Sequence, residues 1–209
     1  MESLSPLLAG LLAAILGYLF GSVPFAVIVS KAFGLADPRS FGSGNPGATN
    51  VLRTGNKLAA LLTLVGDAAK GWLAMTAAEL AGAGSAAIGI AGLAAFIGHV
   101  FPFTLGFKGG KGVATALGVM LGFSPALAGI AAGIWLSVAA ITRYSSLAAL
   151  TAAFAAPFAT WYLLGSITTT LLVTLMSSVL ILRHKSNIVK LLAGTESRIG
   201  GSKKAAQET

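Results

Sequence analysis

Residues 113–141 read VATALGVMLGFSPALAGIAAGIWLSVAAI, and the number of times this apolar stretch crosses a membrane decides the fold. It could form one long helix bent at Pro125 or two short helices that turn beside this proline. One crossing would place Lys108 and Lys111 on the opposite face from Arg143, whereas two crossings would place all three cations on the same face. Because short cytoplasmic loops are enriched in Lys and Arg, the charges favour two crossings.

The rest of the chain has the composition of a multispanning membrane protein. Its 209 residues are 56% hydrophobic and 10% charged, whereas an ordinary soluble domain is about 25% charged. Apolar runs long enough to cross a bilayer lie at residues 4–30, 58–82, 84–107, 147–165 and 167–182. The sequence therefore predicts an all-α membrane protein, a bundle of seven transmembrane helices with short interfacial helices, forming a single domain over residues 1–209.

The first apolar run bears on where the mature chain begins. It lacks a basic n-region and is too long for the core of a signal peptide, so we expect it to be kept as a span and the mature chain to start near Met1. The tail beyond Arg198 carries no motif and is expected to be disordered. No cysteine is present, which excludes disulfides, a thiolate nucleophile and a cysteine metal site.

The net charge of +8 indicates membrane orientation rather than a nucleic-acid partner, because the cations lie in short loops between apolar runs. With seven crossings and an outside N-terminus, every Lys and Arg except Lys70 falls on the cytoplasmic side. Lys70 lies three residues after Asp67 inside the second span, where we expect the two to form a structural ion pair. His99 is expected to be a packed or interfacial histidine, with a role in shaping a pocket left open. Close helix packing is expected at small-residue spacings such as Gly129-xxx-Gly133.

Four polar segments fall on the same predicted face, at residues 41–57, 107–112, 143–146 and 183–198. Each places basic residues beside hydroxyl or amide groups. Singly, each has an ordinary explanation: an interfacial turn, an orientation signal, a helix cap at Ser145 or Ser146, or a basic interfacial helix attracted to anionic lipid. Together they supply more phosphate-binding groups than orientation requires, which favours a site for two phosphorylated ligands.

In the first segment, FGSGNPGATN, Asn45 is predicted to be the N-cap and Pro46 the first residue of a short helix that ends at Gly55. The unpaired N–H groups of such a helix start, with flexible glycine backbone before it, suit a phosphate. The second segment, FKGGKG, has Leu105 where a P-loop needs its first glycine and Gly112 where it needs Ser or Thr. These departures argue against a nucleotide site of that type and leave a glycine loop with two ammonium groups.

The segments resemble a known family, the bacterial membrane-bound acyl-phosphate:glycerol-3-phosphate acyltransferases. The resemblance is carried by GSGNPGATN-x-x-R at 42–53, FKGGKGVAT at 107–115, RYSS at 143–146, and RHKSN at 183–187 with the later GTE at 194–196. It extends over the whole chain in order and spacing. It implies a seven-helix bundle in the bacterial cytoplasmic (inner) membrane, with the C-terminus and the active site on the cytoplasmic side. Membrane lipid is then a partner, and a monomer is favoured.

The resemblance implies transfer of a fatty acyl group from acyl phosphate to the 1-hydroxyl of glycerol 3-phosphate, giving lysophosphatidic acid and inorganic phosphate. The catalytic residues it implies are Ser43, Arg53, Lys111, Ser146, His184 and Asn187. The substrate-binding residues it implies are Gly42, Gly44, Asn45, Thr49, Asn50, Lys108, Gly109, Gly110, Arg143, Ser145 and Glu196. No metal site and no cofactor are expected, because acyl phosphate already carries a good leaving group and needs mainly orientation and charge neutralisation.

The general base stays open at this point. The His-x4-Asp pair of other glycerolipid acyltransferases is missing, because Thr104 follows His99 and Val189 follows His184 at the fifth position. Either His184 or the phosphate of the substrate could accept the proton. Two other classes of function compete. One is a transporter for a phosphorylated anion, but the basic groups cluster at one face instead of lining both sides. The other is a lipid-binding scaffold, but this role would not explain the amide and hydroxyl groups beside the basic residues.

Overall fold

The computed structural model describes residues 5–200, and this part of the chain contains helices and turns but no strand. Its helices are α1 (Pro6–Gly21), α2 (Phe25–Ala32), α3 (Ala48–Val51), α4 (Lys57–Leu80), α5 (Ser85–Val100), α6 (Val113–Phe123), α7 (Pro125–Thr142), α8 (Ser145–Leu164), α9 (Ile167–Arg183) and α10 (Lys185–Leu192). Two 3₁₀ turns, Leu52–Thr54 and Phe103–Leu105, follow α3 and α5. The expected disorder of the tail concerns mainly residues 201–209, which lie outside the described residues.

The stretch 113–141 is two helices, as the charges predicted. Ser124 is the N-cap of α7, where its Oγ accepts a hydrogen bond from the N–H of Leu127, and Pro125 is the first residue of the helix. Proline suits this position because its missing N–H would have no partner in a first turn. The chain therefore turns at Ser124 instead of continuing as one long helix.

Within residues 5–200, five stretches are long and apolar enough to cross a membrane: Pro6–Ala32, Lys57–Leu80, Ser85–Leu105, Pro125–Thr142 and Ser145–Leu164. A sixth results if α9 and α10, which are bent by 58° relative to each other, count as one. Helix α6 is apolar but has only 11 residues. The structure thus confirms an all-helical fold for these residues, with five or six candidate spans, and a seventh crossing by α6 stays a prediction.

The first predicted span, residues 4–30, is a broken helix. Helix α1 ends at Gly21 and α2 begins at Phe25, because Pro24 has no N–H to continue the helical ladder. The freed carbonyl groups find donors elsewhere: Thr104 Oγ1 donates to Ser22 O at 2.6 Å and Lys70 Nζ donates to Val23 O at 2.9 Å. Such replacement donors are what allow a helix break inside a membrane.

Close helix packing occurs at glycines other than the predicted pair. A Cβ atom on Gly17 would lie 2.3 Å from Ala91 O, and one on Gly21 would lie 2.0 Å from Ala95 O, so α1 rests directly on the backbone of α5. A Cβ on Gly129 or Gly133 would meet no atom within 4 Å. The expectation for Gly129-xxx-Gly133 is therefore wrong, because that face of α7 does not touch a neighbouring helix.

The main apolar core lies between helices α4 to α9, around fully buried side chains such as Phe96, Val119, Leu127 and Met176. Many large apolar side chains on the outside of α1, α4 and α8 are exposed, as expected where lipid is the solvent. The predicted ion pair is confirmed, with Lys70 Nζ 2.8 Å from Asp67 Oδ1. The loops that join the helices at one end of this bundle carry the polar segments.

Candidate active site

The structure brings the four polar segments together through side-chain hydrogen bonds between distant parts of the chain. Segment 41–57 contacts segment 143–146 through Thr49 and Ser145, whose hydroxyl oxygens lie 3.1 Å apart. It also contacts segment 183–198 through Arg53, whose Nη2 donates to Ser197 Oγ at 2.5 Å. Segment 107–112 joins the same cluster through Lys111, which donates to Asn187. The predicted convergence is therefore present.

Glu196 is the centre of this cluster. Its Oε1 atom accepts a hydrogen bond from Ser146 Oγ at 2.8 Å and another from Asn187 Nδ2 at 2.7 Å. The same Asn187 accepts the ammonium of Lys111 on its Oδ1 atom. Lys111, Asn187, Glu196 and Ser146 thus form one continuous chain of polar side chains, drawn from three segments. Ser146 and Asn187 are buried, whereas Lys111 and Glu196 are half-buried.

Ser145 and Ser146 do not cap α8. Tyr144 occupies the N-cap position of this helix and no side chain caps it. Both serine hydroxyls are instead turned toward other segments, Ser145 toward Thr49 and Ser146 toward Glu196. The capping explanation is wrong for this pair, and the hydroxyl groups belong to the polar cluster.

The residues just after α10 contact Arg53, Arg143 and Tyr144 of the other polar segments. Besides Glu196 and Ser197, Ile199 donates its N–H to Arg143 O at 2.7 Å, and the guanidinium of Arg143 donates to Ile199 O at 2.9 Å. Arg198 lies over the ring of Tyr144, with 5.4 Å between Cζ and the ring centroid. Residues 194–200 therefore hold the cationic side chains of Arg53 and Arg143 in place.

The loop before α3 differs from its prediction. The helix begins at Ala48 with Gly47 as its N-cap, so Asn45 is not a cap and Pro46 is not a first helical residue. Its end is as predicted, because the 3₁₀ turn Leu52–Thr54 continues α3 up to Gly55. Asn50 organises the loop instead: its Nδ2 donates to Pro38 O and Phe41 O, and its Oδ1 accepts the N–H of Ser43. Asn50 is buried, and its amide group is occupied in holding the turn.

Gly42 and Gly44 both have positive φ angles, 61° and 66°, which glycine adopts without strain. A Cβ on Gly42 would lie 2.3 Å from Asn50 Oδ1 and 3.0 Å from Arg53 Cδ. The turn therefore lies directly against the Arg53 side chain. Ser43 is exposed beside it, and its Oγ accepts the N–H of Asn45 at 3.4 Å.

The glycine loop 107–112 separates its two lysines. Lys108 is exposed, whereas Lys111 is half-buried and reaches the cluster. Burial is the main cause that lowers the pKa of Lys111 to about 8, and Lys190, Arg183 and Arg53 act in the same direction against the opposing effect of Glu196. Several cations thus surround one carboxylate, so the cluster has an excess of positive charge that favours binding of an anion.

His184 joins α9 to α10 and is buried, 3% exposed. Its Nδ1 lies 2.8 Å from Leu180 O, which fixes the proton on Nδ1 and leaves Nε2 as the acceptor. Burial, reinforced by the charge of Lys111, lowers the pKa of His184 to about 4. The ring is therefore neutral near pH 7.

Two residues of the site were missed by sequence reasoning. Ser197 is the partner of Arg53, and Arg183 donates from Nη2 to Gly109 O at 3.2 Å, tying the fourth segment to the glycine loop. Arg183 stands at the start of the RHKSN motif, so its position in that motif was an available signal. Ser197 lies outside the motifs, so the sequence carried no signal for its contact with Arg53.

Comparison with known proteins identifies the family of this chain. The family model described as glycerol-3-phosphate acyltransferase matches residues 11–194. The chain belongs to the glycerol-3-phosphate acyltransferase family. A member from Laribacter hongkongensis is 61% identical over 195 residues, which cover 91% of this chain and 96% of that protein. One from Aromatoleum aromaticum is 56% identical over 193 residues, 92% of this chain and 98% of that protein.

Solved structures of this acyltransferase family share the fold. A crystal structure of PlsY (YgiH), an integral membrane glycerol 3-phosphate acyltransferase in its glycerol 3-phosphate form, superposes with a TM-score of 0.84 at 38% identity, covering 90% of this chain and 94% of that one. Its lysophosphatidic acid form superposes with a TM-score of 0.83 at 37% identity. The resemblance seen in the motifs is thereby confirmed, and this glycerol-3-phosphate acyltransferase is an integral membrane protein.

Proposed function

We propose that the protein transfers a fatty acyl group from acyl phosphate to the 1-hydroxyl of glycerol 3-phosphate, at the cytoplasmic face of the bacterial inner membrane. The products are lysophosphatidic acid and inorganic phosphate. The observation that carries the proposal is the cluster of Lys111, Asn187, Glu196 and Ser146, with Arg53 at its edge. Relatives that are named for glycerol 3-phosphate acylation, one of them solved with glycerol 3-phosphate, support it.

The phosphate of glycerol 3-phosphate binds to Arg53, Lys111 and the hydroxyl group of Ser145, and Ser146 joins them when its O–H turns from Glu196 to the phosphate. Arginine offers a planar fork that suits two phosphate oxygens, and lysine a mobile point charge. Both cations now contact uncharged partners, Ser197 and Asn187, which a dianion can replace at little electrostatic cost. Lys108, being exposed, contributes at longer range.

The acyl phosphate places its head near the turn 42–45 and the side chains of His184 and Asn187, and its chain runs between helices into lipid. The oxygen of the 1-hydroxyl attacks the carbonyl carbon, and the bond from this carbon to the phosphate oxygen breaks. The cations stabilise charge that develops on the leaving phosphate. No covalent enzyme intermediate is required, because the mixed anhydride is already activated.

The hydroxyl proton passes to a base during the attack. His184 has its Nε2 lone pair available, but a pKa of about 4 makes it a weak base near neutral pH. A phosphate dianion bound beside it is the stronger acceptor. We therefore assign the proton to the substrate phosphate, and to Nε2 of His184 the acceptance of a hydrogen bond from a hydroxyl group of glycerol 3-phosphate.

The experiment is an assay of purified protein with acyl phosphate and labelled glycerol 3-phosphate, with acyl-CoA as the alternative donor. Arg53→Ala and Lys111→Ala should each lower turnover by about 100-fold, because each removes a charge that stabilises the transition state. Arg39→Ala is the matched control, since Arg39 is exposed and pairs with Asp37 outside the cluster. Nearly full activity in both cluster variants, or no transfer from acyl phosphate by the unmodified protein, would contradict the proposal.

A further inference from the structure

A second charged cluster lies deeper in the bundle, and the proposed reaction does not use it. Asp67, Lys70 and His99 are 2%, 3% and 7% exposed. Asp67 Oδ1 lies 2.8 Å from Lys70 Nζ and 3.3 Å from His99 Nδ1, so one carboxylate oxygen orients both partners. A buried ion pair adds little net stability compared with apolar residues of the same size. The stability of the Asp67–Lys70 pair therefore does not by itself explain why His99 joins it.

One side of the cluster fastens the broken first span. Lys70 Nζ donates to Val23 O in the break between α1 and α2, and α4 carries both Asp67 and Lys70. His99 belongs to the last turn of α5. The cluster thus fixes three elements relative to one another at a single point.

The other side of the cluster meets the glycine loop that carries Lys111. A Cβ on Gly110 would lie 2.1 Å from His99 Nε2, so the imidazole ring is packed against the Cα atom of Gly110. The loop backbone is tied to the same turn of α5, because Gly110 donates its N–H to His99 O at 3.1 Å and Gly109 donates to Val100 O at 3.2 Å. Only a small cavity of about 10 Å³, lined by residues of the cluster and the loop, remains between them.

We infer that His99, held by the Asp67–Lys70 pair, is a positioning residue: its ring packs against the glycine loop and thereby fixes the position of Lys111. The inference rests on the proposed function, because it assigns Lys111 to substrate phosphate. Lys111 follows Gly110 directly, so any shift of Gly110 moves the ammonium group. A misplacement of about 1 Å at a reacting group can lower a rate by about 100-fold.

The test is a double-mutant cycle between the ring and the loop, read in kcat/KM for glycerol 3-phosphate. Gly110→Ala adds a methyl group where the ring stands and should lower kcat/KM by about 100-fold. His99→Ala removes the ring and should lower it by about 10-fold, because the loop keeps its backbone hydrogen bonds. In the double variant the methyl group has space, so activity should return to about that of His99→Ala alone.

Gly109→Ala is the matched control for this cycle. Its Cβ would lie 2.1 Å from the backbone atom His99 O and 2.3 Å from Pro102 Cδ, and His99→Ala removes neither atom. The loss caused by Gly109→Ala should therefore persist in the His99→Ala background. The inference is supported if His99→Ala restores the activity of Gly110→Ala but not that of Gly109→Ala. General loosening of the fold by His99→Ala would affect both variants alike.

The inference would be overturned if the loss of kcat/KM in the double variant equalled the product of the losses in Gly110→Ala and His99→Ala. Full activity of Gly110→Ala would overturn it as well. If Gly110→Ala fails to fold, recovery of folded protein in the double variant supports the inference, and its absence overturns it. As a second measurement for every variant of the cycle, the increase in unfolding temperature caused by added glycerol 3-phosphate is determined. Should the unmodified protein show that rise but no transfer from acyl phosphate, the donor assignment fails while the positioning role is still measured.

Discussion

At the scale of single residues, the two lysines of the glycine loop differ although their sequence surroundings are alike. Lys108 is exposed, while Lys111 is half-buried and bound to Asn187. Burial disfavours the charged form, and the neighbouring cations Lys190, Arg183 and Arg53 disfavour it further, so the pKa of Lys111 falls from its usual 10.5 to about 8. Lys111 is thus charged at pH 7 but loses its proton in mildly alkaline solution.

We expect this titration to appear in the pH dependence of the reaction. If a charged Lys111 binds the phosphate, kcat/KM should fall above about pH 8, by about tenfold per pH unit, because the protonated fraction falls at that rate. The measurement is a series of initial rates at saturating acyl phosphate between about pH 6 and pH 10.

Lys111→Arg is the control for this pH profile, because a guanidinium stays charged throughout the range. Its activity is expected to be lower overall but to show no decline near pH 8. Bound phosphate would raise the pKa of Lys111, so the profile of kcat should break at higher pH than that of kcat/KM. A decline of the same shape in both proteins would mean that another group, or the substrate, controls the titration.

At the scale of helices, contact depends on which glycines face a neighbour. Gly17 and Gly21 let α1 rest on the carbonyl oxygens of Ala91 and Ala95 in α5. Gly129 and Gly133 have the same spacing, yet nothing lies within 4 Å of a Cβ added to either. Spacing alone therefore does not distinguish a packed glycine from one that faces lipid.

We predict opposite effects of alanine at the two pairs. Gly21→Ala should destabilise the folded protein by about 1–3 kcal/mol, because the methyl group would overlap the backbone of α5. Gly129→Ala should be neutral or stabilising by up to about 1 kcal/mol, since alanine is the better helix former and no atom opposes it. The comparison is made by unfolding temperature in detergent. No loss in Gly21→Ala would show that α1 and α5 can separate without cost, and an equal loss in both variants would show that the contact with α5 is not its cause.

The helix break between α1 and α2 shows how other elements supply hydrogen-bond donors to backbone carbonyl groups that a helix leaves unpaired. The length of the first apolar run predicts one span over residues 4–30, although Pro24 lies within it. The break is tolerated because Thr104 and Lys70 donate to the freed carbonyl groups. Neither donor is a neighbour in sequence, so the break could not be predicted with its partners.

At the scale of the whole molecule, the arrangement in the membrane remains a prediction. The cations and the polar cluster lie in loops that two crossings by α6 and α7 would put on the cytoplasmic side. The opposite connections, near Ser85, Ser124 and Ser166, carry no charge. The shortness of α6, 11 residues, requires protein neighbours around it, and its contacts with α4, α5, α7 and α9 supply them.

This orientation can be tested directly because the chain has no native cysteine. Ser85→Cys and Ser166→Cys should react with a membrane-impermeant maleimide in intact cells. Ser40→Cys and Ser186→Cys, in exposed positions on the side of the cluster, should react only after the membrane is opened. Reaction of Ser40→Cys and Ser186→Cys from opposite sides would rule out a single site built from their segments.

The sequence by itself determined the helical membrane fold, the turn at Ser124 and Pro125, the Asp67–Lys70 pair and the four polar segments. These features depend on length, hydropathy, spacing and the distribution of charge along the chain, which can be read without knowing which helices touch. Only the tertiary structure decided that Arg53 meets Ser197, that Glu196 joins Ser146 to Asn187, and that the His99 ring lies under Gly110. Each of these contacts joins side chains or backbone from separate parts of the chain, and their atoms meet only once the helices are packed.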